Sequence, residues 1–319
     1  MIFTDVEKVK AKGLDASREF YREFGEEMLD RLFPDSVSAV AVGLCGSGSD
    51  CFGFDDDVSK DHDCDPGFMI FLPGSEVVDE KLAFRIERGY DGLPKSFRGM
   101  TRKPAGMTHG RRGPVRLAAF LGSRIGTDDV PSAAEWLTIP ENYLAEVTNG
   151  ELFRDDSGIF TGIRRRLCNP PRDVLLKKTA GCLFVMSQSG LYNYERCLSR
   201  GDADAAQLSC FEFFRCAANA FFWLCGAYMP YYKWTFRAMR NLPEGERFAG
   251  LLSEIISGRD VGSGKKEAID LACGTVISMT SDKLCPIPPG MSLIDAAYYL
   301  NEKTADPNLR NLHVLYGVK

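Results

Sequence analysis

The sequence lacks a long uninterrupted apolar run. A membrane-spanning helix needs roughly 18 to 20 successive apolar residues. The nearest candidate, residues 216–232, is shorter and is interrupted by Asn219 and Pro230. Residues 1–10 are polar and charged, unlike a secretory signal. These features predict a protein without a membrane partner, located in the cytoplasm.

The sequence also lacks a surplus of positive charge. Its 39 Lys and Arg residues are outnumbered by 44 Asp and Glu residues, which gives a formal net charge of -5. Proteins that bind nucleic acid independently of its base sequence do so by neutralising phosphates with Lys and Arg. We therefore expect no bulk nucleic acid partner, although a local basic site stays open.

No pair of cysteines has the C-x-x-C spacing of a zinc or redox site. The sequence has 11 cysteines, an odd number, and several lie inside apolar runs. In the reducing cytoplasm such residues are expected to be buried thiols that act as small hydrophobes.

The composition is that of an ordinary globular protein. Apolar residues make up 45% and charged residues 26% of the 319 residues. At roughly 100 to 200 residues per domain, the length predicts two domains.

Helix and strand patterns alternate in the first half of the chain. Residues 16–33 carry apolar side chains at the three- to four-residue spacing of an amphipathic helix. Short apolar runs that end at turn residues predict buried strands. The remaining predicted elements are strands at 37–44, 67–72 and 115–121, a helix at 77–88 and an exposed basic loop at 102–112.

The second half has helical patterns only. Two successive prolines follow Cys168 and Asn169, and proline cannot continue a helix. This places the domain boundary there, with domains at 1–168 and 169–319, and predicts an α+β fold in which a small mixed-sheet domain precedes an all-helical domain. The predicted helices of the second domain cover 174–186, 192–198, 205–227, 231–240, 246–256, 265–281 and 292–300.

The most informative segment joins the first two predicted strands. It begins with the Gly/Ser turn Gly46, Ser47, Gly48 and Ser49, and ends with closely spaced acids at Asp61, Asp63 and Asp65. In an extended chain, residues two apart point to the same face, so Asp61 and Asp63 would project together. Two adjacent carboxylates repel unless a cation lies between them. Mg²⁺ is a suitable cation for this position, since it prefers hard oxygen ligands and is commonly held by one or two carboxylates and substrate phosphates.

This combination resembles the nucleotidyltransferase superfamily of DNA polymerase beta and the aminoglycoside nucleotidyltransferases. The family pattern is a Gly-Ser turn, a gap of about ten residues, and two acids separated by one residue; here eleven residues separate Gly48-Ser49 from Asp61-His62-Asp63. The surrounding sequence is similar to a bacterial nucleotidyltransferase-like branch of unknown function, as are residues 192–202 and 228–234. The resemblance therefore extends over most of the chain.

The resemblance implies Mg²⁺-dependent transfer of a nucleoside monophosphate from ATP or another NTP to an acceptor hydroxyl on a small molecule or a protein, with release of pyrophosphate. Asp61 and Asp63 would bind one or two Mg²⁺ ions, and the Gly/Ser turn would hold the triphosphate. Arg196 and Lys233, in the helical domain, would also contact it. The alternative interpretation of Lys233 is a structural one, in which the lysine packs on neighbouring aromatic side chains.

Active members of this superfamily usually add a third carboxylate from a later strand. The predicted strand at 115–121 contains no acid, which leaves Asp65, Asp155 and Asp156 as candidates. Without a third acid, the chain would be a weak catalyst or a silent nucleotide-binding regulatory module. A further alternative is an antitoxin-like modifier of a partner protein.

Overall fold

The computed structural model describes residues 12–35, 37–56, 65–258 and 264–318. About 61% of the chain is helical and four strands form a small mixed sheet, so the fold is α+β. Asp61 and Asp63 lie outside the described residues.

Contacts between residues divide the chain into two compact units. The first extends to Val130 and also contains Leu144–Leu167, and the second contains Pro131–Tyr143 and the chain from Cys168 onwards. The second unit thus includes a segment that the sequence analysis placed in the first domain.

Strands and helices alternate up to residue 167. Two strands, β3 (Ser96–Phe97) and β4 (Met100–Thr101), form a separate hairpin. The other elements are α1 (Lys12–Phe20), a π-helix (Tyr21–Gly25), α2 (Glu26–Leu32), β1 (Ala41–Leu44), β2 (Met69–Leu72), α3 (Glu80–Asp91), β5 (Gly113–Arg116), α4 (Leu117–Ile125), α5 (Ala133–Thr138), α6 (Glu141–Thr148), β6 (Glu151–Asp155) and α7 (Ile159–Leu167).

The rest of the described chain is helical. Its elements are α8 (Arg172–Met186), a π-helix (Ser187–Asn193), α9 (Tyr194–Ser199), α10 (Ala203–Leu224), α11 (Tyr232–Arg240), α12 (Gly245–Ser257), α13 (Gly264–Lys283), α14 (Leu293–Glu302) and α15 (Pro307–Arg310). The seven helices predicted for this region are confirmed, with ends that differ by a few residues.

The four-stranded sheet has the order β5-β2-β1-β6. Strand β1 is antiparallel to both neighbours, and β2 is parallel to β5. Gly43 pairs with Met69, so the chain leaves β1 and enters β2 at the same end of the sheet. The segments 45–50 and 65–68 therefore meet at that end.

Apolar side chains of α1, the following π-helix and α3 cover one face of this sheet. Phe68, just before β2, contacts Tyr21 with ring centroids 5.3 Å apart and Tyr90 of α3 at 5.2 Å. These residues belong to one buried cluster with Phe20 and Ile70. Burying apolar surface is the main stabilising contribution to such a core.

One strand prediction for the first unit is wrong in part, and one strand of the four-stranded sheet was not predicted. Residues 115–121 do not form one strand, because β5 ends at Arg116 and α4 begins at Leu117. A short apolar run fits a buried strand and a buried helix equally well. Strand β6 was not predicted, and every residue in it is half-buried, so it has no clear apolar alternation.

The basic segment 102–112, predicted as an exposed loop, is anchored by buried side chains. Arg102 is 4% exposed and donates to the carbonyls of Asp91, Leu93 and Pro94 just after α3. Cationic groups are favourable near the carboxyl end of a helix, where carbonyls lack partners. The loop is therefore held against α3.

The second unit has one large apolar core. It contains helices and no strand among the described residues. Its core joins side chains of α8, α10, α12, α13 and α14, including the stacked rings of Phe221 and Phe248 at 4.6 Å.

The ten described cysteines are free thiols, and seven of them are buried. This agrees with the prediction for most of them, while Cys168 is exposed. In the described part of the chain, no helix combines the length and apolar character needed to cross a membrane.

Candidate functional site

The turn that follows β1 is fixed by the side chain of Asn149. The Gly46 N–H donates to Asn149 Oδ1 at 2.9 Å, and Asn149 Nδ2 donates to the Gly46 carbonyl at 2.7 Å. Gly46 has φ of 126°, a conformation that favours glycine. Both polar groups of Gly46 are thus tied to the segment between α6 and β6.

The second half of the turn is buried. A Cβ atom on Gly48 would lie 2.1 Å from Asp50 Oδ1, so only glycine fits beside that carboxylate. Ser47 is exposed, whereas Ser49 is 3% exposed and its hydroxyl has no hydrogen-bond partner among the described residues. A buried hydroxyl without a partner is costly and needs an explanation such as a bound ligand or water.

Asp50 forms a buried ion pair with Arg112. The Asp50 side chain is 2% exposed and that of Arg112 is 4% exposed. Burial lowers the pKa of the Arg112 guanidinium, but nearby groups, of which the Asp50 carboxylate contributes most, together raise it by more, and the net shift is upwards. Arg112 therefore stays charged beside the turn.

Asp65 lies at the same end of the sheet and is also buried, at 8% exposed. Its Oδ1 accepts from the Gly67 N–H at 2.7 Å and its Oδ2 from the Lys103 N–H at 2.9 Å. Arg112 Nη2 lies 3.4 Å from the Asp65 carbonyl oxygen. Arg112 thus bridges the Gly/Ser turn and Asp65, two features that the sequence analysis singled out.

A pocket of about 110 Å³ opens beside Asp65. Its lining is mostly basic, as expected of the segment 102–112, but the pocket itself was not predicted because this segment was expected to be an exposed loop. The lining residues are Asp65, Lys103, Met107, Thr108, His109, Arg111 and Arg112.

A second ion pair, between Arg124 and Glu146, lies on the other side of the turn. Arg124 Nε is 3.1 Å from Glu146 Oε2, and a Cβ atom built on Gly46 would be 3.7 Å from Arg124 Nη2. Burial raises the pKa of the Glu146 carboxyl, and Arg124 only partly offsets it. Sequence reasoning missed Glu146 and Asn149, because neither belongs to a recognisable motif.

Asp155 and Asp156 lie away from the turn. Asp155 pairs with Ala41, at the start of β1, whereas the turn follows the end of β1. Asp155 accepts from Thr161 N–H at 2.7 Å, and Asp156 pairs with Arg154 at 2.8 Å. This geometry removes both residues from the candidates for a third carboxylate.

The predicted basic residues Arg196 and Lys233 belong to the second unit. The Arg196 guanidinium lies 4.7 Å from the Tyr192 ring centroid. Lys233, which is exposed, has its Nζ 4.9 Å from the Trp234 ring centroid. Each cation thus stacks on a neighbouring aromatic ring of its own unit.

Within 12–35, 37–56, 65–258 and 264–318, no three His, Cys, Asp or Glu side chains form a group that could hold a metal ion. The predicted metal ligands Asp61 and Asp63 are not among these residues.

Residues 136–235 match a family model described as a domain of unknown function, DUF4037. The matched segment covers less than half of the chain and includes Asn149, Arg196 and Lys233, but not the Gly/Ser turn. Neither a curated protein nor a solved structure matches the chain.

Proposed function

We propose that this protein is a Mg²⁺-dependent nucleotidyltransferase that moves a nucleoside monophosphate, AMP when the donor is ATP, from an NTP to an acceptor hydroxyl. The acceptor would belong to a small molecule or a protein, and pyrophosphate would be released. The observation that carries this proposal is the buried Ser49 hydroxyl, which has no hydrogen-bond partner among the described residues and lies in a turn at the same end of the sheet as Asp65.

The turn supports a role in phosphate binding. Glycine lets a ligand approach the backbone closely, and successive N–H groups in a turn can bind anions. The Ser49 hydroxyl would donate to a phosphate oxygen, and the exposed Ser47 hydroxyl offers a second donor. Arg112 adds a fixed positive charge behind the turn. These donors fit a triphosphate.

The acidic residues of this segment would bind the metal ions that accompany the nucleotide. Asp61 and Asp63 would hold one or two Mg²⁺ ions, which supply charge neutralisation on the phosphates when bound. Asp65 would be the third acid, and its two backbone hydrogen bonds fix the position of its carboxylate. Arg196 and Lys233 would contact the triphosphate from the second unit.

One observation favours the alternative of a nucleotide-binding module without catalysis. Both oxygens of Asp65 already accept backbone N–H groups, which reduces their capacity to act as a base or a metal ligand. In this alternative the protein binds the nucleotide but does not catalyse transfer.

Binding and turnover should be measured separately. ATP binding is followed by calorimetry with Mg²⁺, and transfer by release of pyrophosphate from ATP across a panel of hydroxyl acceptors. D61N and D63N should abolish pyrophosphate release, and S49A should weaken ATP binding. D128N, at an exposed aspartate of the first unit, serves as the matched control and should behave like the unmodified protein.

Retained ATP binding with no pyrophosphate release from any acceptor would favour the silent module. Absence of ATP binding with Mg²⁺ would contradict both proposals.

The role of Lys233 has its own control. Lys303, in the same unit, also stacks on an aromatic ring, with its Nζ 4.7 Å from the Tyr299 centroid. If Lys233 contacts the triphosphate, K233M should weaken ATP binding about tenfold, the effect of losing one charged hydrogen bond, while K303M should not. Equal effects of K233M and K303M would remove Lys233 from the site.

A further inference from the structure

The pocket beside Asp65 has a basic lining. Lys103, Arg111 and Arg112 contribute positive charges and His109 adds a further nitrogen donor. The acid among the lining residues is Asp65, and both of its oxygens accept backbone N–H groups. Among the described lining residues, three permanent cations stand against this one carboxylate, and Asp50, the partner of Arg112, adds a second.

The floor of this pocket is rigid. Thr108 is buried, and its hydroxyl accepts from the Arg112 N–H at 3.1 Å and lies 2.9 Å from the Arg112 carbonyl oxygen. The Arg112 side chain is fixed by its Nη1, which donates to the Arg111 carbonyl at 2.8 Å, and by Asp50. These contacts hold the segment between residues 108 and 112 in one shape.

The Nε donor of Arg112 has no hydrogen-bond acceptor among the described residues. Arg112 is 4% exposed, and its Nε is buried. Leaving a charged donor unsatisfied in the interior costs more than leaving a neutral one. An anion in the pocket would supply the missing acceptor.

The backbone at the rim is unusual. His109 has φ of 52°, in the left-handed region, where residues other than glycine are uncommon. Such conformations cost free energy and cluster at binding sites, where the surrounding structure maintains them. This conformation forms the rim of the pocket around the basic side chains.

The volume limits the ligand. Water occupies about 30 Å³ in the liquid, so the pocket has room for a few waters. Sites for drug-sized ligands measure about 300 to 1,000 Å³. The pocket therefore has room for a single small anionic group.

We propose that this pocket binds one phosphoryl group, either as free phosphate or as the end of a small phosphomonoester. A phosphoryl group has three strong acceptor oxygens, which suits donors that converge from Lys103, Arg111 and Arg112. A carboxylate has two oxygens in one plane and would leave donors unsatisfied. None of the Gly/Ser turn residues lines the pocket, but Asp65 and Arg112 also belong to the proposed nucleotide site, and a Cβ atom built on Gly48 would lie 2.9 Å from Arg111 Nη2. The pocket therefore adjoins the proposed triphosphate site.

Calorimetric titration of the full chain with inorganic phosphate, without magnesium or nucleotide, tests this site independently of the proposed transfer reaction. We expect saturable binding with one phosphate per chain. K103Q and R111Q should each weaken binding about tenfold, the effect of losing one charged hydrogen bond. K103Q keeps the backbone N–H that binds Asp65. H109N tests the imidazole, since asparagine tolerates the left-handed conformation.

The matched control is K95Q. Lys95 is an exposed lysine close in sequence that does not line the pocket, and we expect its replacement to change the dissociation constant less than about twofold. Glycerol 3-phosphate serves as the monoester and acetate as the carboxylate. Tighter binding of the monoester than of phosphate assigns the site to a phosphomonoester, and the reverse assigns it to the free ion.

Three results would overturn the proposal. They are the absence of saturable phosphate binding, equal weakening by K95Q and K103Q, and acetate binding as tight as phosphate binding. Thermal unfolding of each variant should be unchanged, which separates loss of the site from loss of the fold.

Discussion

The two units each bury a cationic side chain, but one has a carboxylate as its partner and the other has neutral acceptors. In the first, Arg112 faces the carboxylate of Asp50, and the net effect is a raised pKa. In the second, Lys177 is fully buried and donates to the Asn301 side-chain oxygen at 2.6 Å and the Leu312 carbonyl at 2.8 Å. Burial lowers the pKa of Lys177.

This difference separates a binding role from a structural one. Arg112 lines an open pocket and has one N–H without an acceptor in the described part of the chain, so this donor is available to a ligand. Lys177 ties α8 to α14 and to the end of the chain through neutral acceptors. A buried cation with a carboxylate partner and a pocket is a better functional candidate than one whose donors are used within the fold.

Breaking the Asp50–Arg112 pair should have the largest effect. D50N leaves the Arg112 charge buried without a counter-charge, so we expect the free energy of unfolding to fall by about 3 to 5 kcal/mol. Urea denaturation measures this change. D129N, which breaks the exposed Asp129–Arg166 pair, is the control and should produce no measurable change. D50N/R112M should lose less than the sum of the single variants, and a loss under 1 kcal/mol for D50N would contradict this picture.

Removing the buried lysine should have the next largest effect. K177M leaves the acceptors on Asn301, Leu312 and His313 without their donor, while it removes the cost of burying a charge. The expected loss is about 2 to 4 kcal/mol in the free energy of unfolding, again by urea denaturation. If K177M lowered the free energy of unfolding as much as D50N and also weakened ATP binding, the distinction between a structural Lys177 and a ligand-binding Arg112 would be wrong.

Releasing the Gly/Ser turn should have a moderate effect on stability. N149A removes both hydrogen bonds to Gly46, and we expect a loss of about 1 to 2 kcal/mol and weaker ATP binding. N149D keeps the acceptor for the Gly46 N–H and should lie between N149A and the unmodified protein. Unchanged ATP binding in N149A would separate the turn from the nucleotide site.

The pH dependence should show the smallest effect. Because folding lowers the pKa of Lys177, the unfolded chain binds more protons than the folded chain between the two pKa values. The stability of the unmodified protein relative to K177M should therefore increase as the pH rises through this alkaline interval. A constant or shrinking difference between the two unfolding free energies would be inconsistent with the lowered pKa.

The sequence predicted the second unit better than the first. Helices such as α11 and α12 have a local apolar periodicity that can be read directly. Strand β6 and the buried side chains of the segment 102–112 were missed because their structure depends on distant partners. Arg102, for example, is placed by carbonyls at and just after the end of α3, and Asp65 by the backbone of Lys103.

The sequence by itself determined the helices of the second unit and singled out the Gly/Ser turn and its acids, because periodicity and motif spacing are local properties. Only the tertiary structure decided that Asp50 pairs with Arg112, that Asn149 fixes Gly46, and that a basic pocket forms beside Asp65. These features join residues that are 38 to 103 positions apart. Their contacts arise when the sheet and its surrounding helices pack, so no local pattern in the sequence encodes them.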